Sequence, residues 1–110
     1  MEKQKILIAD DSEMNRALLV DILEDQYDIV EADNGAAAID LLTQCGGNFS
    51  LLLLDIMMPE MDGFEVLAYI NRYHLNDTLA VIMISADDSP ANIKRACDLG
   101  AFDYISRPFD

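Results

Sequence analysis

The sequence has few of the residues that mark several common classes of protein. Among 110 residues there are two cysteines, one histidine and no tryptophan. Cys45 and Cys97 are far apart and have no metal-type spacing, so the sequence favours neither a disulfide nor a metal-ligand pair. Each falls on an apolar position of a helical pattern, which predicts a small buried side chain. His74 stands alone in a polar stretch, and we assign it no role.

Long apolar runs are also missing. The longest are Leu51–Leu54 and Leu79–Ile84, far short of the roughly 18 residues that a membrane-spanning helix needs. An acidic pair, Asp10 and Asp11, interrupts the first apolar stretch, too early for a signal peptide. We therefore expect a cytoplasmic protein.

Basic residues are scarce, because seven Lys and Arg stand against 21 Asp and Glu, for a formal net charge of −14. Binding to nucleic acid or to an anionic membrane requires clustered Lys and Arg, so we expect neither from this domain. A cation site and basic protein partners remain compatible with the charge. Since 52% of the residues are hydrophobic, the chain has enough apolar side chains for the core of one domain.

Short apolar runs alternate along the chain with helical patterns. The predicted strands are Lys5–Ala9, Tyr27–Ala32, Phe49–Asp55, Leu79–Ser85 and Ala101–Ile105. The predicted helices are Ser12–Asp25, one that Asn34 opens, roughly Gly63–Arg72, and one from Ser89-Pro90 to Gly100. This alternation, with several strands apolar on both faces, indicates an α/β fold with a doubly wound parallel sheet. We expect right-handed crossovers.

The helical stripes predict which side chains face the sheet. In the first helix they are Met14, Leu18, Leu19, Ile22 and Leu23; in the second, Ala38, Ile39, Leu42 and Cys45; in the third, Val66, Leu67 and Ile70; in the fourth, Ile93, Ala96 and Cys97.

Polar residues follow the carboxyl ends of four predicted strands. They are Asp10 and Asp11 after strand one, Asp55 at the end of strand three, Ser85 at the end of strand four, and Ser106 and Arg107 after strand five. Ligands of open parallel sheets bind at these ends, so we expect the side chains to converge. Close carboxylates disfavour joint ionisation, and a bound cation or a shared proton relieves this. All-oxygen ligation suits Mg²⁺ or a similar hard divalent ion.

The chemistry of this set is that of phosphoryl transfer. Ser85 offers a hydroxyl and Arg107 a fixed positive charge, while Asp55 is placed to attack. A backbone carbonyl just past Asp55 is a candidate further metal ligand, for which the methionine at position 57 is acceptable. The alternative interpretation is that each residue is an ordinary cap or surface charge.

In order and spacing, these motifs resemble the receiver domain of two-component response regulators over essentially the whole chain. The segments are ILIADDSEMNR, LLLLDIMMPEMDGFEVL, MISA and GAFDYISRPF. Asp55 follows Asp11 by 44 positions, and Ser85 and Arg107 follow Asp55 by 30 and 52. The resemblance implies a flavodoxin-like five-stranded sheet of order 2-1-3-4-5. It also implies a regulatory phospho-acceptor rather than an enzyme.

The resemblance implies specific roles for the strand-end residues. Asp55 would accept a phosphoryl group from a sensor histidine kinase or a phosphotransfer protein. Asp10, Asp11 and Asp55, with the backbone carbonyl of Met57, would hold Mg²⁺ or Mn²⁺.

Two further positions are implied as switch residues, and a third departs from the family pattern. Ser85 would be the switch hydroxyl that turns toward the phosphoryl group, and Tyr104 is similar to the aromatic switch that moves with it. The family has lysine where this chain has Arg107. Arginine keeps the charge but presents a planar fork, which puts the rate, lifetime and geometry of phosphorylation in doubt.

The chain stops at Asp110, directly after the fifth predicted strand. The resemblance implies one more helix there, which often supplies a dimer or partner surface, so a homodimer is compatible with it. We expect residues 1–110 to be a receiver domain truncated before its last helix, with an output domain following in a longer regulator.

Three rival interpretations differ at single positions. A phosphatase of the haloacid-dehalogenase type requires a second aspartate two residues after its nucleophile, where this chain has Met57. A flavodoxin-like cofactor carrier would hold a phosphate in its first loop, which Asp10 and Asp11 would repel. A pseudo-receiver, which keeps the fold without accepting phosphate, is supported by Arg107 alone.

Overall fold

The computed structural model describes residues 4–44, 49–75, 79–85 and 89–106. The elements, in chain order, are β1 (Gln4–Ala9), α1 (Glu13–Leu23), β2 (Tyr27–Ala32), α2 (Gly35–Gln44), β3 (Phe49–Asp55), α3 (Gly63–Arg72), β4 (Ala80–Ser85), α4 (Pro90–Asp98) and β5 (Asp103–Ser106). None of the described residues forms a helix after β5. Within the same ranges, no helix is both long and apolar enough to cross a membrane.

The strands form one sheet in the order β2-β1-β3-β4-β5, and every neighbouring pair is parallel. This confirms the predicted fold class and strand order. The central strand β3 pairs with β1 through Leu54 and Ala9, and with β4 through Asp55 and Ile84. The carboxyl ends of β1, β3 and β4 therefore lie side by side.

Both faces of the sheet are covered by apolar side chains. Successive residues of a strand point to opposite faces, so Leu52 and Leu54 belong to the larger cluster, which contains residues of α2, α3 and α4. Leu53 belongs to the smaller cluster, where Leu19 of α1 packs. The leucine run of β3 is thus explained by burial on two faces.

The helix starts follow ordinary capping chemistry. The cap residues, whose side chains accept a hydrogen bond from a backbone amide three residues on, are Ser12, Asn34, Asp62 and Ser89. Those at Asn34 and Ser89 confirm the predicted starts of α2 and α4. At α3 the cap is reciprocal, since Glu65 Oε1 also accepts from the Asp62 amide, which satisfies two of the free donors at the helix end.

The predicted inward faces of α2 and α3 are confirmed, with Cys45 outside the described residues, but the prediction for α1 is wrong in part. Leu19 is buried, whereas Met14, Leu18 and Ile22 are 81%, 43% and 60% exposed. The helix carries apolar residues on more than one face. The face that packs on the sheet is the one with Leu19, flanked by the partly buried Val20 and Leu23.

The prediction for α4 is also wrong in part. Ala96 is buried, but Cys97 is exposed and Ile93 is 36% exposed. Side chains of successive helical residues point about 100° apart, and α4 meets the core through the small Ala96. Cys97 is therefore an accessible thiol rather than a core residue.

Two glycines fix the loop that follows β3. The Gly63 amide donates to the Ile56 carbonyl at 2.8 Å, and a Cβ at Gly63 would lie 2.3 Å from the Asp55 carbonyl oxygen. A Cβ at Gly35 would lie 2.2 Å from the Met61 carbonyl oxygen. The starts of α2 and α3 thus pack directly against the backbone beyond Asp55.

We expect Gly63→Ala to lower the free energy of unfolding by roughly 1–3 kcal/mol, because the added methyl group meets backbone atoms that cannot move independently. Urea unfolding followed by circular dichroism should show a lower midpoint with an unchanged slope. Ala68→Ser, at an exposed position of α3, is the control and should stay within about 0.5 kcal/mol. Equal midpoints for the two variants would contradict the close packing.

Candidate functional site

Three carboxylates meet at the carboxyl ends of β1 and β3. Asp10 and Asp11 follow β1, and Asp55 is the last residue of β3. One carboxylate oxygen from each lies within 4.8 Å of the other two. Asp10 and Asp55 are 2% and 1% exposed, whereas Asp11 is exposed. The parallel pairing of β1 with β3 therefore brings together the three acids that the sequence placed at strand ends.

The arrangement is electrostatically costly without a cation. Two unit charges 4 Å apart near a protein surface interact by about 4 kcal/mol, and two of these three carboxylates are withdrawn from water. Carboxylate oxygens are the ligands that Mg²⁺ and Mn²⁺ prefer. One oxygen of each carboxylate lies within 4.8 Å of the other two, so the three side chains could bind a single ion. Asp10, Asp11 and Asp55 are thus a suitable donor set, and the exposed side at Asp11 leaves room for water ligands.

The loop that carries Asp10 is held by its own hydrogen bonds. The Asp10 amide donates to the Ala32 carbonyl of β2 at 3.0 Å. Asp10 Oδ1 accepts from the Ser12 amide at 2.9 Å, which couples the carboxylate to the start of α1. The acid is therefore oriented by backbone groups on both sides.

Ser85 lies on β4, the strand next to that of Asp55, and Tyr104 lies on β5, one strand further from Asp55. Asp55 is paired with Ile84 of β4, so Ser85, which is 2% exposed, stands one residue beyond it. Tyr104 is paired with Met83, which shares a face of the sheet with Ser85 because the two are two residues apart. Tyr104 is partly buried against the larger cluster. The predicted hydroxyl and aromatic positions are thus on one face of the β4–β5 pair.

The remaining predicted positions differ in what the structure describes. Met57 is 72% exposed, at the start of the loop after Asp55. In that loop the Met61 amide donates to the Pro59 carbonyl at 2.7 Å, and Glu60 has a positive φ of 69°, so the chain makes a tight three-residue turn. Arg107 lies outside the described residues, which end at Ser106, opposite Ser85 in the sheet.

Sequence reasoning missed Arg16 of α1. Its Nη1 donates to the Asp10 carbonyl at 2.7 Å, and its Nε donates to Glu31 Oε1 at 3.1 Å. A charged residue three positions before Leu19, on the face that α1 turns to the sheet, is the sequence signal that was available. It went unused because the predicted apolar stripe extended from Leu19 and Leu23 toward residues that are exposed, Met14, Leu18 and Ile22, rather than toward Arg16.

The comparisons with known proteins agree with this geometry. The sequence model of the response regulator receiver domain matches residues 6–110. An uncharacterized transcriptional regulatory protein, YkoG of Bacillus subtilis, is 34% identical over all of this chain and 47% of its own length. A probable cyclic di-GMP phosphodiesterase of Vibrio cholerae is 37% identical over 94% of this chain and 23% of its own length. The chain thus spans about half or less of these relatives.

Solved structures show the same fold. A CheX–CheY–BeF3–Mg²⁺ complex from Borrelia burgdorferi has a chain that is 31% identical, with a TM-score of 0.90, covering 97% of this chain and 80% of that one. The signal receiver domain of the response regulator NarL from Mycobacterium tuberculosis is 33% identical, with a TM-score of 0.87, covering 100% of this chain and 88% of that one.

We expect Mg²⁺ to raise the melting temperature of the protein, and Asp11→Asn to abolish that effect. A ligand at 100 times its Kd stabilises the folded state by about 2.7 kcal/mol. Without Mg²⁺, the variant should be more stable than wild type by roughly 1 kcal/mol at low salt, because one like charge is removed. Thermal unfolding with MgCl₂, against NaCl of equal ionic strength, measures both effects.

Asp28→Asn is the matched control, since it removes an exposed charge near the amino end of β2, whereas the three acids lie at the carboxyl ends of β1 and β3. It should keep the full Mg²⁺ effect. Equal stabilisation of Asp11→Asn and wild type by Mg²⁺ would contradict a cation site at the three acids.

Proposed function

Because this chain belongs to the response regulator receiver domain family, we propose that it is a signalling switch that accepts a phosphoryl group on Asp55 in the presence of Mg²⁺. The donor would be a sensor histidine kinase or a phosphotransfer protein. The observation that supports this most is the meeting of Asp10, Asp11 and Asp55 within 4.8 Å at the carboxyl edge of the sheet. Asp55 is the member of that set on the central strand.

In the proposed reaction, an Asp55 carboxylate oxygen attacks the phosphorus of the donor. An oxygen–phosphorus bond forms as the bond from phosphorus to the donor's histidine nitrogen breaks, and that nitrogen keeps the electron pair. When bound, the metal ion neutralises charge on the phosphoryl oxygens. Asp10, Asp11 and Asp55 would hold that ion, and its charge would balance theirs. Burial of Asp55 excludes bulk water from the nucleophile.

Ser85 and Tyr104 then report the change. The buried Ser85 lies one strand away from Asp55, and in this proposal its hydroxyl donates to a phosphoryl oxygen. Movement of Ser85 would change the packing on its face of β4, the face on which Tyr104 of β5 lies opposite Met83. The surface formed by β5 and α4 would carry the signal to an output domain or partner.

The names of the relatives support a regulatory role for this chain. One carries the name of a transcriptional regulatory protein and another that of a phosphodiesterase, and each is longer than the shared receiver. The receiver is therefore the part in common, and we propose that this chain controls an activity that lies outside it.

We expect acetyl phosphate with Mg²⁺ to phosphorylate the purified protein at Asp55. Intact-mass spectrometry suits the measurement, because the chain has no tryptophan to report binding by fluorescence. Asp55→Asn should lose the added phosphoryl group. Asp33→Asn removes an exposed acid at the end of β2 and should be labelled like wild type. An unlabelled wild type, or equal labelling of Asp55→Asn, would show that the proposal is wrong.

We expect Arg107→Lys to raise the initial rate of labelling severalfold, since it restores the compact point charge of the family's lysine in place of a planar guanidinium. Arg107→Ala should be slower than wild type, because it removes the positive charge that the resemblance to the family assigns to stabilising the developing negative charge. Time courses of intact mass under identical acetyl phosphate and Mg²⁺ provide the rates. Equal rates for all three proteins would exclude a role for position 107 in the reaction.

A further inference from the structure

Arg16 joins three parts of the molecule through one side chain. It lies in α1, and its side chain is only 16% exposed. Nη1 donates to the Asp10 carbonyl, in the loop after β1, at 2.7 Å. Nε donates to Glu31 of the edge strand β2 at 3.1 Å. The planar guanidinium thus links α1 to β2 and to the loop that carries two of the three acids.

The carbonyl that Arg16 holds belongs to the peptide unit between Asp10 and Asp11. A peptide unit is planar, so a bond to its oxygen restrains both the ψ angle of Asp10 and the φ angle of Asp11. Asp10 is also oriented through its amide and its carboxylate. The exposed Asp11 relies more on the peptide unit that precedes it.

From this geometry we propose that Arg16 is a positioning residue for the divalent-cation site, and that Glu31 orients Arg16. The inference rests on the proposed function, in which that cation is needed. Arg16 acts through the Asp10–Asp11 peptide unit rather than as a ligand. Such outer partners commonly change metal affinity by 10–100-fold when they are removed.

A positioning role and a purely electrostatic role of Arg16 predict opposite effects of its removal on the affinity for the cation. If Arg16 acts only through its positive charge, which lies next to Asp10, its removal would strengthen cation binding. As a positioning group, its removal lets the peptide unit rotate and weakens cation binding. The sign of the change in Kd therefore distinguishes the two roles, and a purely structural role would lower stability without changing the Kd.

The experiment measures the Kd for Mn²⁺ by electron paramagnetic resonance, and for Mg²⁺ by competition, on the whole chain without phosphate. We expect Arg16→Gln to weaken binding roughly tenfold. Arg16→Lys should also be weakened, because a single ammonium cannot reproduce the two directed bonds of the guanidinium. Circular dichroism establishes that each variant is folded at the temperature of measurement.

Lys94→Gln is the matched charge control. Lys94 is exposed on α4, and its hydrogen bond and ion pair with Asp98 raise its pKa, so it carries the same charge as Arg16 at neutral pH. Removing it should leave the Kd unchanged.

Glu31→Gln tests the second half of the inference with little risk to folding, since the Glu31 side chain is 46% exposed. It should weaken binding severalfold in the wild-type background and have no further effect in Arg16→Gln, because the two side chains act as one unit. An Arg16→Gln Kd equal to or lower than that of wild type would overturn the inference, as would additive effects of the two substitutions. Absence of Mn²⁺ binding by wild type would overturn the cation site, and with it the proposed function.

Discussion

Repulsion among three carboxylates at one edge of a parallel sheet is the constraint that the rest of the structure accommodates. Carboxylate oxygens of Asp10, Asp11 and Asp55 lie within 4.8 Å of one another. The strands that lead to them, β1 and β3, are buried on both faces. Core side chains such as Leu52 and Leu54 are fully buried, and each contributes roughly 2–5 kcal/mol to stability by the usual cost of truncating a core leucine. The repulsion is thus about as large as the contribution of one or two such side chains to stability, and the apolar core offsets it. A fold with a weaker central strand would separate the acids or keep them in water.

Holding the acids close also requires close backbone packing beyond β3. Gly63 and Gly35 allow the starts of α3 and α2 to touch the loop after Asp55, where any Cβ would overlap a carbonyl oxygen. The Gly63 amide is bonded to Ile56, so α3 begins against the residue that follows the acid. The same contacts that close the core therefore fix the direction of the Asp55 strand end. Stability and site geometry are in this respect one property of the chain.

The sequence was sufficient to predict the fold and the location of the acids, but not the details that depend on helix rotation. Strand alternation and the parallel sheet follow from apolar runs with known periods, and the meeting of Asp10 with Asp55 follows from the rule that parallel strands end on one edge. The orientation of α1 does not follow, because apolar residues such as Met14 and Leu19 occur on different faces, and burial of either satisfies the pattern. Only the packed structure shows that Leu19 faces the sheet while Met14 is exposed. The role of Arg16 was hidden for the same reason.

The charge of the site has to be balanced from outside the loop that carries it. Among the described residues, Arg16 is the basic residue whose side chain is hydrogen-bonded to this loop. It donates to the Asp10 carbonyl oxygen and to Glu31 Oε1. The bond to the Asp10 carbonyl restrains the loop, the bond to Glu31 restrains Arg16, and neither of the two is made to the carboxylates of Asp10 and Asp11. A mobile divalent ion is then the natural counter-charge, and the formal net charge of −14 raises the local concentration of cations around the protein. A loop held in this way is ordered without a cation, so that cation binding would cost little rearrangement, and the proposed chemistry at Asp55 would then depend on the ion.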